Sequence, residues 1–156
     1  MANSGRNSKS ILLALFYILM LFFESRSQSV SLISSYKVAG IGNYWGLALA
    51  SSSNKETLFI ADNYSGKGLS IFDVTSPQSP SLIATYVTSA QTYALVLLSS
   101  DQKYLFITDN TAGAGLTILD VSTPSSPAYK GSYTSSGVAY VGLALTSDDS
   151  ILYVTD

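Results

Sequence analysis

Three aspartates that recur at one position, Asp62, Asp109 and Asp156, are the first candidates for chemistry in this chain. Asn63 and Asn110 follow the first two, and a glycine-bearing turn comes next. Carboxylate and amide oxygens on a loop are the ligands that Ca²⁺ takes, so the three aspartates are candidate calcium ligands. Each turn supplies a single carboxylate, however, and the closely spaced acids of a calcium-binding loop are missing from the sequence. We therefore predict that the aspartates bind the turn backbone, with glycine at positive φ and no metal.

The remaining chemical inventory is short. The sequence contains no Cys and no His, which excludes zinc sites built on those ligands, thiol nucleophiles and His-dependent triads. Asp73 and Asp120 each precede Val, a hydroxyl residue and two prolines, which is typical of a turn cap at a strand end. The glycine-bearing turns at 66–68 and 113–115 lack the following helix that a phosphate-binding loop needs. We identify no catalytic residue and expect no cofactor.

Charge is sparse along the chain. Charged residues make up 12% of the sequence, and the net charge is −2. Proteins that neutralise nucleic-acid phosphates need a basic surface, so we expect no nucleic-acid partner. Without cysteines there are no disulfides, and stability must come from packed secondary structure.

The N-terminus has the pattern of a secretory signal peptide. Arg6 and Lys9 precede an apolar run at 11–23, and a polar segment follows it. As a helix this run would span about 20 Å, which is short of the bilayer core of about 30 Å. Cleavage after Ser27 or Ser29 would place small residues at the required positions. We predict that residues 1–29 are a signal peptide and that the mature protein is secreted or on the cell surface, with an uncleaved membrane anchor or a core helix as the alternatives.

One stretch of the chain appears twice. Residues 68–80 return in related form at 115–127, an offset of 47 residues that keeps the Asp and both prolines in register. Four strand-like runs recur in each unit, and the pattern is strand and turn throughout. A period in the forties built from strands is typical of β-propeller blades.

The repeated signature Leu-x-Ile-x-Asp-Val-Ser/Thr-x-Pro-x-x-Pro resembles the LVIVD repeat of exported and surface proteins. The signature occupies 69–80 and 116–127, and the wider repeat covers about 30–156. This resemblance implies propeller blades whose innermost strands contain Leu47, Leu95 and Leu143, and whose outermost strands start near 31, 81 and 128. The family has no shared catalytic residues, so the resemblance implies no activity.

The predicted fold is all-β, with β-propeller-like four-stranded blades of about 47 residues. Residues 30–156 would supply one outer strand, two full blades and half of a third. Propellers close with roughly four to eight blades, so we expect this stretch to be an incomplete ring, either a fragment of a longer protein or a chain that associates through open sheet edges.

Aromatic residues and one sequon add two further candidates. Tyr44, Tyr93 and Tyr140, together with Trp45, would either pack between blades or line the channel mouth for a sugar or peptide. Asn63 begins the sequence Asn-Tyr-Ser and is the candidate glycosylation site.

These observations favour a secreted or surface scaffold that binds a protein or carbohydrate and performs no catalysis, without membrane association once the signal is removed. The alternative is a fragment of a propeller-fold hydrolase or lactonase whose catalytic site lies outside this stretch. Such an enzyme places acidic ligands around the axis, whereas the predicted inner strands carry Leu, Ala and Gly.

Overall fold

The computed structural model describes residues 18–23, 30–36, 44–64, 66, 68–88 and 92–156. The chain divides into two compact units, Met1–Val38 and Ala39–Asp156. The described residues contain strands and turns and no helix, which confirms the prediction of an all-β fold. Accordingly, the described part of the chain offers no helix that is long and apolar enough to cross a membrane.

The first unit contains a two-stranded antiparallel sheet. Strand β1 (Ile18–Phe23) pairs with β2 (Val30–Tyr36), and the register shifts between Met20 and Leu21. The last six residues of the apolar N-terminal run are thus extended. Residues 1–17 and 24–29, which make up most of the proposed signal peptide, lie outside the described residues, and the signal peptide stays a prediction.

Two four-stranded antiparallel sheets form the main body of the second unit. The first runs β3 (Tyr44–Ser52), β4 (Lys55–Asp62), β5 (Gly68–Asp73) and β6 (Ser81–Tyr86). The second runs β7 (Tyr93–Leu98), β8 (Tyr104–Asp109), β9 (Leu116–Asp120) and β10 (Ala128–Tyr133). In each sheet the spatial order equals the chain order. These sheets are the two predicted blades, and we call them blade 1 and blade 2.

A third sheet pairs β11 (Gly142–Leu145) with β12 (Leu152–Thr155). Strand β3 lies against β7, and β7 lies against β11. The first strand of each sheet therefore approaches the first strand of the next, as the inner strands of propeller blades do. This arrangement confirms the predicted order of strands from inner to outer.

The hydrophobic core lies between blade 1 and blade 2. Phe59 and Ile71 of blade 1 and Leu105 and Ile107 of blade 2 belong to one fully buried cluster. Gly46 on β3 lets the backbones of β3 and β7 lie close together, because a Cβ atom at position 46 would be only 2.6 Å from the carbonyl oxygen of Ala94. Any larger residue at position 46 would therefore force β3 and β7 apart.

Candidate functional site

The candidate aspartates Asp62 and Asp109 end the second strand of their blades. Asp62 Oδ1 accepts a hydrogen bond from the backbone N–H of Tyr64 at 2.9 Å, and Asp109 Oδ1 accepts one from Thr111 at 2.7 Å. Asp62 is 5% exposed and Asp109 is 0% exposed. Each side chain thus closes an Asx turn two residues ahead, which confirms the predicted contact with the turn backbone. We call this end of the blades the corner end.

The Asp109 carboxylate is the more fully enclosed of the two. Its Oδ1 also accepts from the Thr92 N–H at 3.2 Å and from the Thr92 hydroxyl at 3.4 Å. The Thr92 and Thr111 hydroxyls are 2.8 Å apart and complete the cluster. Asp109 Oδ2 is buried and makes no hydrogen bond with any residue that the structure describes. The bonds therefore converge on one oxygen of a buried carboxylate.

Asp156 differs from its two counterparts. It is exposed and directly follows β12. Asp62 and Asp109 belong to different blades, each held by its own turn. Within the described ranges, no group of three or more acidic, His or Cys residues could hold a metal ion. The repeat therefore places the three aspartates at equivalent positions without assembling them into one site.

The corner end also connects each sheet to its neighbour. Asn63 Nδ2 donates to the carbonyl oxygen of Tyr93 at 3.4 Å, so the turn of blade 1 contacts the first inner-strand residue of blade 2. At the next junction the Tyr140 N–H donates to the carbonyl oxygen of Asp109 at 3.1 Å. The first of these bonds uses the atom that glycosylation would modify, and Asn63 is only partly exposed. Ser65, the third residue of that sequon, lies outside the described residues.

Two glycines permit the corner turns to close. Gly68 and Gly115 have φ angles of +72° and +82°. A Cβ atom would overlap the carbonyl oxygen of Tyr86 at the first position and of Tyr133 at the second. Positive φ and lack of space both exclude a larger residue here.

The repeated tyrosines occupy different environments. Tyr93 is fully buried in the core between the blades. Its hydroxyl lies 3.1 Å from the Thr88 hydroxyl, and burial raises the pKa of Tyr93 to about 12. Tyr140 is partly exposed and stacks on Tyr133, with ring centroids 6.4 Å apart. Of the two alternatives given for the repeated tyrosines, packing between blades or lining a channel mouth, Tyr93 therefore takes the first.

The opposite end of the blades, which we call the hairpin end, carries exposed aspartates. Asp101 and Asp148 lie 47 residues apart in equivalent hairpins. Hydrogen bonds lower the pKa of each carboxyl to about 2. The largest contribution comes from the Ser99 hydroxyl at Asp101 and from the Thr146 hydroxyl at Asp148. The donors stabilise the charged form of each side chain.

Gln102 and Asp149, the next residues along these hairpins, hold neighbouring sheets together. Both have positive φ, 59° and 58° respectively. Gln102 Oε1 accepts from the Ser51 N–H at 2.9 Å, which links blade 2 to blade 1. Asp149 Oδ2 accepts from the N–H of Ser100 at 2.8 Å and from its hydroxyl at 2.6 Å, which links the third sheet to blade 2. Sequence reasoning missed this pair, although the offset of 47 residues was a signal.

Asp73 and Asp120 also lie at the hairpin end. Asp73 Oδ1 accepts from the Thr75 N–H at 2.9 Å, and Asp120 Oδ1 accepts from the Ser122 N–H at 3.0 Å. The pKa of Asp73 is lowered chiefly by the Thr75 side chain, and that of Asp120 by the Ser122 backbone. These bonds confirm the predicted turn caps.

The comparison with known families agrees with this geometry. The family model of the LVIVD repeat matches residues 58–88 and 99–135. The first segment extends from within β4 through β6, and the second contains β8 to β10. No curated protein matches the chain. The chain contains two LVIVD repeats, which are propeller-like, and it belongs to the LVIVD-repeat family.

Proposed function

We propose that this protein is a secreted or surface-exposed repeat scaffold that binds a protein or carbohydrate ligand and catalyses no reaction. The main support is the use of the recurring carboxylates. Six of them accept a hydrogen bond from the backbone two residues ahead, namely Asp62, Asp73, Asp101, Asp109, Asp120 and Asp148. A feature that repeats with each unit serves the scaffold, whereas a catalytic site is usually asymmetric.

The corner end is the surface that we assign to the ligand. Tyr64, in the turn of blade 1, is 56% exposed, and Val87, just after β6, is 54% exposed. The lysines of the described residues, Lys55, Lys103 and Lys130, lie at or reach toward the hairpin end. Among the described residues, a ligand at the corner end would therefore contact aromatic, apolar and backbone groups together with the exposed Asp156 carboxylate. The proposal includes no nucleic-acid partner and no membrane association after signal removal.

Binding can be tested with two probes, a glycan array for carbohydrates and a displayed peptide library for proteins. We expect one probe to yield a ligand whose affinity falls at least about tenfold in Tyr64→Ala, because exposed aromatic side chains dominate such contacts. Tyr129→Ala is the matched control, since Tyr129 is 57% exposed but lies on outer strand β10. Failure of both probes, or equal affinity in the two variants, would contradict the proposal.

Export needs a separate experiment. N-terminal sequencing of protein recovered from the medium of expressing cells should identify Gln28 or Val30 as the first residue, which corresponds to cleavage after Ser27 or Ser29. A protein that still starts at Met1 and sediments with membranes would favour the uncleaved anchor.

A further inference from the structure

Strand β2 corresponds in the repeat to the fourth strands of the blades, β6 and β10. Residues 31–36 align with Ser81–Tyr86 and Ala128–Tyr133, and each of these segments ends on a Tyr. Strand β6 pairs with β5 and β10 pairs with β9. We call β5 and β9 the signature strands, because both carry the sequence Leu-x-Ile-x-Asp. Strand β2 pairs instead with β1, which belongs to the apolar N-terminal run.

The three pairings have the same register. The final Tyr of each fourth strand lies opposite an apolar residue, in the pairs Tyr36 with Ile18, Tyr86 with Leu69 and Tyr133 with Leu116. Each pairing also contains one register shift, and the extra residue falls on the fourth strand at equivalent positions, which are Ile33, Ile83 and Lys130. A bulge of this kind bends its strand and is specific to its place in the sheet. Strand β1 therefore occupies the register position of a signature strand, with the bulge included.

The sequence of β1 reproduces only part of the signature. The three apolar positions of the signature strands are apolar in β1 as well, at Ile18, Met20 and Leu21. Phe22, however, stands at the register position of Asp73 and Asp120. Those aspartates accept a hydrogen bond from the backbone N–H two residues ahead, and phenylalanine has no acceptor to replace them. Strand β1 thus fits the edge of β2 less completely than a signature strand would.

We propose that β1 is a stand-in for a signature strand, and that the edge of β2 which it covers is the docking site for a strand carrying Leu-x-Ile-x-Asp. The partner strand runs antiparallel to β2, with its Leu opposite Tyr36 and its Asp opposite Ser31. Backbone hydrogen bonds give such a strand addition its affinity, and the residues at each register position give it specificity.

The docking site is closed while β1 is in place. The signature strands β5 and β9 already have a neighbour on both sides, so the partner is a further strand of the same type. Removal of residues 1–29 takes β1 away and leaves an open strand edge, which is a template for pairing. Signal cleavage would therefore also open the docking site. The experiments below open it with an added protease, so they do not depend on export or on the ligand proposed above.

The register of β1 can be tested by disulfide formation in the full chain, because the sequence contains no Cys. Leu19 lies opposite Ser35, and opposite residues of antiparallel strands are within disulfide reach. We expect the double variant Leu19→Cys/Ser35→Cys to form its disulfide under mild oxidation. The matched control, Leu19→Cys/Ser34→Cys, moves one cysteine by a single residue to the other face of the sheet and should stay reduced. Equal crosslinking of the two variants, or crosslinking of neither, would overturn the proposal.

The docking site can then be opened and closed in one protein. A protease site inserted between Arg26 and Ser27 of the Leu19→Cys/Ser35→Cys chain lets β1 dissociate only after both cleavage and reduction. The probe is a fluorescent peptide with the sequence of residues 68–75, which contains β5. Fluorescence anisotropy should show at least about tenfold tighter binding to the cleaved and reduced chain than to the cleaved and oxidised chain, because the disulfide keeps β1 at a high effective concentration.

The same peptide with Ile71→Pro is the matched control, since proline lacks a backbone donor and is excluded from the interior of a sheet. The proline peptide should bind the reduced chain at least about tenfold more weakly than the signature peptide does. Equal binding of the signature peptide to the oxidised and reduced chains, no binding to either, or undiminished binding of the proline peptide would overturn the proposal.

Discussion

The two ends of the blades use the same hydrogen bond in different surroundings. At the corner end, Asp62 and Asp109 accept a backbone N–H two residues ahead and are 5% and 0% exposed. At the hairpin end, Asp101 and Asp148 accept from the Lys103 and Ser150 N–H groups, each at 3.1 Å, and are exposed. Water can replace a lost partner at the hairpin end, whereas it has less access to the part-buried hydrogen bonds at the corner end. The corner turns should therefore contribute more to stability.

The corner glycines give the largest expected effect. Gly115→Ala should lower the free energy of unfolding by roughly 2–5 kcal/mol, because left-handed backbone costs alanine about 1–2 kcal/mol and overlap with the Tyr133 carbonyl adds roughly 1–3 kcal/mol. Gly113→Ala is the control within the same turn: its φ is +84°, but the nearest atom to an added Cβ is 3.9 Å away. We expect only the backbone cost there. Equal losses in urea unfolding would show that the Tyr133 carbonyl moves aside freely.

The buried carboxylate gives the next largest effect. Asp109→Ala removes the acceptor for the Thr92 and Thr111 N–H groups, which should cost about 1–3 kcal/mol of unfolding free energy. Asp109→Asn keeps the Oδ1 acceptor but places an NH2 group at the buried Oδ2 position, which has no hydrogen-bond partner among the described residues, so its stability should lie between those of the wild type and the alanine variant. Asp101→Ala, at the exposed hairpin, should cost less than Asp109→Ala. Equal urea midpoints for these two alanine variants would mean that burial does not distinguish the ends.

Much of the fold could be predicted because its signals are local and repeated. The period of 47 residues, the strand runs and the Asp-bearing turns led to the observed strand order and to the hydrogen bonds of Asp62 and Asp109. These features depend on residues close in sequence, so they can be recognised in one amino-acid sequence.

The environments of equivalent residues could not be predicted in the same way. Tyr93 and Tyr140 have the same place in the repeat, yet Tyr93 is fully buried and Tyr140 is not. Burial depends on the neighbouring sheets, which the local pattern does not describe. Gln102 and Asp149 were missed because one side chain is an amide and the other is a carboxylate, so the sequence does not show them as a repeated pair. Both accept a hydrogen bond from a backbone N–H of the preceding hairpin, and both have a positive φ angle.

The smallest expected effect is a pH dependence confined to the hairpin end. In the folded protein the pKa of Asp101 is about 2, because the Ser99 hydroxyl, at 2.7 Å, and the Lys103 N–H and ammonium groups stabilise the carboxylate. A folded pKa below the ordinary value of 3.8 means that the charged side chain stabilises the protein above about pH 4, and that this contribution disappears as the pH falls toward about 2. Asp101→Asn should therefore be slightly less stable than the wild type at neutral pH, and the difference should vanish in acid. Because the carboxylate is exposed, solvent screens these interactions and keeps the difference small. Urea unfolding of both proteins at neutral and acidic pH measures it, and a difference that does not change with pH would assign the effect to the shape of the hairpin instead of the charge of Asp101.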